Sequence, residues 1–461
     1  MGDYYQQAIL TICATSGSSD QGLFPVLTGH VPDIARLRYR DKKGIPQGFF
    51  YVYPYGDPRS NRQTEEEAIR ASELFTRGWV FQEWILSRRR VYFTPAGMIY
   101  DCETTGLSNN HREVWGSKKN YGGRIFERYF SGHRIAIDWW YWLLELYTEK
   151  SLTQPEKDRI VALKGIAEEF RELLKRIPSD SSVLRTIVPT VACGLEYLSG
   201  LWAYDLHRGL LWQRVSFAGR HQRLPLYPSW SWTAVVGPVE WPSNPAEKRV
   251  GGFRARLSST SSESTLALHP QAKLLVARVG NGASLIPNDD LGTADRFQTV
   301  PIDAFGTLNK SATLQLAGKL VRVLIREEFS GERDHEILSN ICGEIADTQS
   351  ARTFWRKVCT TSVHTEVIGW ASIDDPSFQE DSMYGSGLES KALVIATSEH
   401  KRGYGLGFYG LNRNGNYTVY HVLFVREIPE ERFERIGVGQ IFGKEVEEVI
   451  RKAGSTEVNL V

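Results

Sequence analysis

The chain has 461 residues, 24% charged and 41% hydrophobic, with a formal net charge of +1. That length is too great for one core and predicts two or three domains. Near-neutral charge gives no field drawing the chain to nucleic acid, and no apolar run of about 18 residues occurs, so no nucleic-acid partner and no membrane span are expected. In chain order, Tyr4, Tyr5, Ala8 and Ile9 stand at helical spacing, and residues 10–14 read as a buried strand. Residues 16–22 form a loop. Thr64 and Glu67 make a capping box, opening a helical segment that Leu74, Gly78, Trp79, Phe81, Ile85 and Leu86 carry to Ser87. Arg88-Arg89-Arg90 precedes a hairpin of residues 91–94 and 98–102. Residues 103–132 have no clear period.

Residues 135–147 are apolar nearly all round and predict a helix buried on most faces. Thr153 and Glu156 give a second capping box with Pro155 in the first turn. An amphipathic helix through Ile160, Leu163, Ile166, Phe170 and Leu173 must then stop before Pro178. A further helix is expected over 194–204, with strands at 210–215 and 230–236. Residues 242–265, rich in Ser, Gly, Pro and charge, read as a linker. Beyond it the chain is mostly β, with strands at 274–279, 313–325, 367–373, 392–397 and 417–425. A terminal helix at 444–453 carries Glu447/Arg451 and Glu448/Lys452 at i,i+4 spacing.

The five cysteines are scattered and form no CxxC, so neither a zinc site nor a disulfide framework is supported. They read as reduced, mostly buried thiols of an intracellular, cytoplasmic protein. There are 13 tryptophans, 11 of them between Trp79 and Trp241. A tryptophan-rich core is expected; a carbohydrate- or base-stacking surface is the alternative and would need exposed rings.

Four stretches carry a likeness to a known family. The first runs from Met1-Gly2-Asp3-Tyr4-Tyr5 through Thr11-Ile12-Cys13-Ala14 to Gly22-Leu23-Phe24. The second is Arg77-Gly78-Trp79-Val80-Phe81-Gln82-Glu83, continuing to Tyr100-Asp101-Cys102. The third is Asp158-Arg159 with Ala162-Leu163 and Gly165-Ile166. The fourth joins Tyr197-Leu198-Ser199-Gly200-Leu201-Trp202 and Arg208-Gly209-Leu210-Leu211-Trp212 to Pro228-Ser229-Trp230-Ser231-Trp232. In order and spacing these resemble the fungal heterokaryon-incompatibility (HET) family across roughly residues 1–240. A weaker likeness continues in Gly369-Trp370-Ala371-Ser372-Ile373-Asp374 and Arg435-Ile436-Gly437-Val438-Gly439. The family's opening Tyr-x-Trp-Gly and Trp-Ile-Asp strands are missing, so the resemblance implies an N-terminally truncated member.

Pattern and resemblance together predict an α+β chain. A partial TIR-like α/β HET region would occupy 1–125, a Trp-rich, mainly helical segment 126–241, the linker 242–265 and a β-rich domain 266–461. The resemblance also implies a role in fungal nonself recognition and the associated programmed cell death, exercised through another protein and without a cofactor. The alternatives are a TIR-like enzyme taking NAD as substrate, or an accessory protein of a fungal biosynthetic cluster. The motif residues that matter are Arg77, Gly78, Trp79, Gln82, Glu83, Trp230 and Trp232. Glu83 is the catalytic candidate, because a carboxylate stabilises an oxocarbenium-like transition state. The plainer reading pairs it with an arginine such as Arg77 or Arg88.

Other candidates have plain readings beside them. Of Arg88-Arg89-Arg90, one arginine is expected to support the helix C-terminus rather than bind phosphate. Asp374-Asp375, followed by Pro376, reads as a turn before a metal site. His207, next to Arg208, reads as a helix-end or turn residue before a base. Gly403, Gly405 and Gly407 do not make a GxGxxG loop, and Cys102 has no histidine that spacing can assign to it as a partner.

Overall fold

A computed structural model of the protein describes residues 2–15, 22–23, 35–52, 69, 71–94, 97–102, 106–109, 133–176, 197–215, 223–241, 268–278, 284–285, 312–328, 355–361, 367–375, 387–400 and 417–461. The capping box at Thr64, the linker at 242–265, the three glycines from Gly403, Cys193 and Cys342 lie outside them. The chain is mixed α+β and divides into two units. One comprises 1–130, 150–153 and 165–173; the other 131–149, 154–164 and 174–461.

In the first unit, helix α1 (Gly2–Gln7) leads into β1 (Thr11–Ala14). Strands β2 (Ala35–Arg40) and β3 (Pro46–Val52) form a separate antiparallel ribbon. Helix α2 (Gly78–Leu86) is followed by β4 (Arg89–Thr94), β5 (Gly97–Cys102) and β6 (Gly106–Asn109). The sheet order is β1-β4-β5-β6, with β1 parallel to β4 and the expected hairpin antiparallel. Its core gathers Cys13, Ile69, Phe75, Tyr92 and Ile99. Strand β1 is not buried throughout as expected. Only Cys13 is buried, and Ile12 is 60% exposed, because alternate residues of a strand face opposite ways.

In the second unit, α3 (His133–Thr148) is the expected apolar helix. The single turn α4 (Pro155–Asp158) has Gln154 as N-cap with no side-chain bond, so the box of Thr153 and Glu156 does not form. Pro155, with its fixed φ, starts the turn. Helix α5 (Lys164–Arg176) gives its 165–173 stretch to the first unit. The helix expected over 194–204 is instead a hairpin, β7 (Tyr197–Leu198) and β8 (Leu201–Trp202). Ser199 and Gly200 turn it at φ 44° and 96°, the positive pair a two-residue hairpin needs.

A second helical turn, α6 (Leu206–Gly209), runs on into a turn at Leu210 and Leu211, where the strand was expected to start. Only β9 (Gln213–Arg214) is extended there, pairing β10 (Val239–Glu240). Residues 230–236 also form no strand. Ser231 accepts a bond from Thr233 N and turns Trp232–Ala234 into a short 3-10 helix, the local chemistry by which serine competes with strand pairing.

The remaining strands are β11 (His269–Pro270), β12 (Lys273–Arg278), β13 (Ser284–Leu285), β14 (Thr313–Glu328), β15 (Arg356–Cys359), β16 (Val367–Ile373), β17 (Leu388–His400), β18 (Tyr417–Ile428), β19 (Arg432–Phe442) and β20 (Ser455–Leu460). Their pairings close a ring: β14-β15-β16-β19-β18-β17 and back to β14, every step antiparallel. Closure leaves these strands no open edge along the ring. Inward residues alternate, with Val321, Val323 and Ile325 on β14 and Val422 and Phe424 on β18. Helix α7 (Lys444–Lys452) adds Val446 and Ile450 to the same core, and its Lys452 and Glu448 pair at 2.7 Å. Glycines let β16 and β19 approach: a Cβ on Gly439 would lie 1.9 Å from Trp370 O, and one on Gly369 2.0 Å from Gln440 O.

Six tryptophans are less than 2% exposed, so the core reading of the tryptophan count holds. Among the described residues Cys13, Cys102 and Cys359 are buried and form no disulfide. Among the described residues no helix is long and apolar enough to cross a membrane.

Candidate functional site

The motif around Glu83 is built on α2. Gly78 N donates to Ser151 O at 2.8 Å, and Ser151 N to Thr76 O at 2.6 Å, so backbone serves the start of the helix. Arg77, its N-cap, contributes no side-chain cap. A Cβ on Gly78 would meet Leu152 Cδ2 at 2.4 Å, which explains glycine there. Trp79 is half-buried. Ser87 ends the helix, its N and Oγ both donating to Glu83 O at 3.2 and 2.6 Å.

Gln82 is 3% exposed, and its Oε1 accepts Gly165 N at 3.1 Å. A free N–H at the start of α5 is thereby satisfied. A Cβ on Gly165 would lie 3.1 Å from that Oε1 and 3.2 Å from Gly2 Cα. Three separate stretches of the chain therefore converge on one point.

Glu83 is half-buried and accepts a hydrogen bond from Tyr5 on α1. Burial pushes its carboxyl above the ordinary range, while the Tyr5 hydroxyl and the charge of Arg77 pull it back. Arg77, rather than Arg88, is thus the arginine that acts on it. Tyr5 is itself pushed up to about 12, by burial and then by Glu83. Burial also pushes the Cys13 thiol up to about 12, against the opposing charge of Arg90. A thiol so held is a poor nucleophile. The cluster can exchange a proton at one carboxyl and can stabilise a cation beside it.

Of the three successive arginines, Arg88 and Arg89 are exposed and Arg90 is buried. Arg90 Nη1 donates to Trp84 O in the last turn of α2, the helix-end support expected of one of them. Its Nε and Nη2 donate to Asp101 Oδ2 at 3.0 and 2.5 Å, across a register pair of β4 and β5.

In the second unit, Trp230 and Trp232 are scaffold. Trp212 Nε1 donates to Trp230 O at 3.0 Å, and Trp232 Nε1 donates to Gly200 O at 2.9 Å. Arg159 lies 5.1 Å over the Trp232 ring. Ser229 N donates to Val461 O at 3.0 Å, and Ser229 Oγ accepts Arg435 N at 3.0 Å. Arg435 then reaches Leu210 O and Trp212 O, both at 2.5 Å, and stacks 3.5 Å from the Trp212 ring centre. Its guanidinium also holds both oxygens of Asp374, so that carboxylate faces a cation already, a poor neighbour for a metal ion.

Two further polar groups stand in the second unit, of which sequence reasoning named only His207. His207 sits in α6 as a helix-end residue, with Nε2 3.4 Å from Asp205 Oδ1, and Tyr141 Oη donates to Asp205 Oδ2 at 3.0 Å. Burial pushes Asp205 up and His207 down. Ser398 Oγ lies 2.8 Å from His421 Nε2, a nucleophile–base spacing, but the two residues are 0% and 2% exposed. Substrate cannot reach them there. With Gln440 and Trp370 they make a polar chain across four strands. Set against protein-family models, curated proteins and solved structures, the chain finds no match in any of the three.

Proposed function

We propose that the chain is a HET-type protein of fungal nonself recognition and its associated cell death, acting in the cytoplasm through contact with another protein. One observation carries this reading: the family-like stretches touch one another. Gln82 of the second meets Gly165 of the third, Arg159 of the third lies over Trp232 of the fourth, and Trp232 bonds to Gly200. Motif residues used this way act as scaffold, which suits a protein that works by presenting surfaces. The parallel pairing of β1 with β4, next to α2, suits a partial TIR-like α/β region. Controlled expression in a filamentous fungus tests the reading. Growth arrest that survives Glu83→Gln, with cellular NAD unchanged, supports it; no arrest in any genetic background overturns it.

A second reading is NAD cleavage centred on Glu83. The observation favouring it is the half-exposed carboxyl bonded to Tyr5. Purified chain would release nicotinamide from NAD, and Glu83→Ala would abolish release while leaving the circular dichroism spectrum unchanged. A folded preparation that releases none ends this reading.

A further inference from the structure

Every residue of β2 and β3 is exposed, on both faces of the ribbon. A lone two-stranded ribbon is marginal in water, and clustered exposed apolar groups mark a docking place. The register sorts its side chains. Arg36 stands opposite Tyr51 and Arg38 opposite Phe49 on one face, with Arg40 next in period. Leu37 opposite Phe50 and Ala35 opposite Val52 occupy the other, where the Tyr39 and Phe50 rings meet edge to face at 4.9 Å.

The ribbon is strongly basic. Arg36, Arg38, Arg40, Lys42 and Lys43 face one acid, Asp41. Asp41 is consumed by the turn: Oδ1 accepts Lys43 N at 2.8 Å and Ile45 N at 2.9 Å, and Oδ2 accepts Gln47 Nε2 at 3.2 Å. Arg36 lies 3.4 Å over the Phe49 ring, and Arg40 donates to Gly44 O at 2.8 Å. Among the described residues no carboxylate pairs with Arg36, Arg38 or Arg40.

The two edges differ. Strand β3 opens with Pro46, which has no N–H, contains Gly48 at φ 141°, and adjoins a register shift. These features block further pairing. Strand β2 has no proline, no glycine and, among the described residues, no second partner. A second copy of β2 would set arginine against arginine, and like charges directly opposite are destabilising.

We propose that the outer edge of β2 docks an extended acidic segment of a partner protein as a third strand. Acidic side chains at alternate positions would meet Arg36, Arg38 and Arg40, and the apolar ones between would lie beside Leu37 and Tyr39. Main-chain bonds supply affinity and the alternating side chains supply choice. The proposal holds whether or not the chain acts in nonself recognition.

The test uses the full chain and a fluorescein-labelled peptide of alternating Glu and Val, followed by anisotropy and amide hydrogen exchange. Saturable binding with new protection of β2 amides is the expected result. Arg36→Glu with Arg38→Glu should weaken binding at least about tenfold and create binding to an alternating Lys/Val peptide. Three results overturn the proposal: no saturable binding, protection on β3 instead of β2, or equal binding by an oligothymidylate of the same charge. If the double variant loses the ribbon, the exchange pattern of the parent chain still decides.

Discussion

The side chains of Arg435 and Asp374 are 0% and 5% exposed and are joined by two hydrogen bonds, at 2.7 and 3.2 Å. The same guanidinium ties down two main-chain carbonyls and a tryptophan face. Breaking a buried pair strands the remaining charge. Asp374→Ala is therefore expected to destabilise the second unit by about 3–5 kcal/mol, measured by urea unfolding.

The approach of β16 to β19 gives a second prediction. Gly439→Ala would drive a methyl into Trp370 O, and backbone has little room to give. A loss of at least about 1–3 kcal/mol is expected, with a lowered melting temperature. Gly454, whose Cβ would meet nothing, is the control and should accept alanine freely.

The turn between β18 and β19 holds Glu430 and Glu431 at φ 70° and 55°, a region that side chains other than glycine and asparagine avoid. Each costs about 1–2 kcal/mol. Glu430→Asn with Glu431→Gly should raise stability by about 1 kcal/mol or more, read from the urea midpoint. The exposed Arg432–Glu430 pair lost in the exchange contributes little.

Glu83 predicts a pH dependence. Its carboxyl is raised in the folded chain, so the native state holds this proton more tightly than the unfolded chain does. The stability it contributes is complete at acid pH and is lost as pH rises through the ordinary glutamate range and on past the raised folded value. Glu83→Gln, which keeps an acceptor for Tyr5, should match the parent in acid and exceed it near neutral pH. Paired urea titrations at the two pH values measure this; a gap that shrinks with rising pH would contradict it.

Much of the second unit was legible because its strands are β-branched runs with period two. Val367–Ile373 falls where the pattern puts it, and β14, β17 and β18 extend their expected cores by a few residues. Strand β19 escaped because Gly437 and Gly439 interrupt its apolar period, and only the close approach of Trp370 and Ser372 accounts for them. Strand β20 escaped because Ser-Thr-Glu-Val-Asn-Leu is largely polar and exposed. Residues 227–235 misled for a different reason. All are buried, so alternation there says nothing about which side faces a core. At the candidate site, the Gln82-Glu83 motif, Tyr5 and Gly165 could each be read in their own stretches, but not that the last two meet the first. Asp374 and Arg435 stand 61 positions apart, and no local pattern joins them.

Strand β14 pairs its first half with β20, and Gln315 meets Glu457 across 142 positions. At about 5–20 residues per second, a ribosome needs roughly 7–30 s to make the second after the first. Throughout that interval the long strand Thr313–Glu328 has an unfilled flank. Pairings so distant also slow folding, because loop closure must come before any contact rewards it. Production of this protein should therefore be limited less by the stability of the finished ring than by the wait for β20, which pairs with β14 and β19. A chaperone that shields extended chain would then raise the yield of folded protein more than a stabilising substitution does.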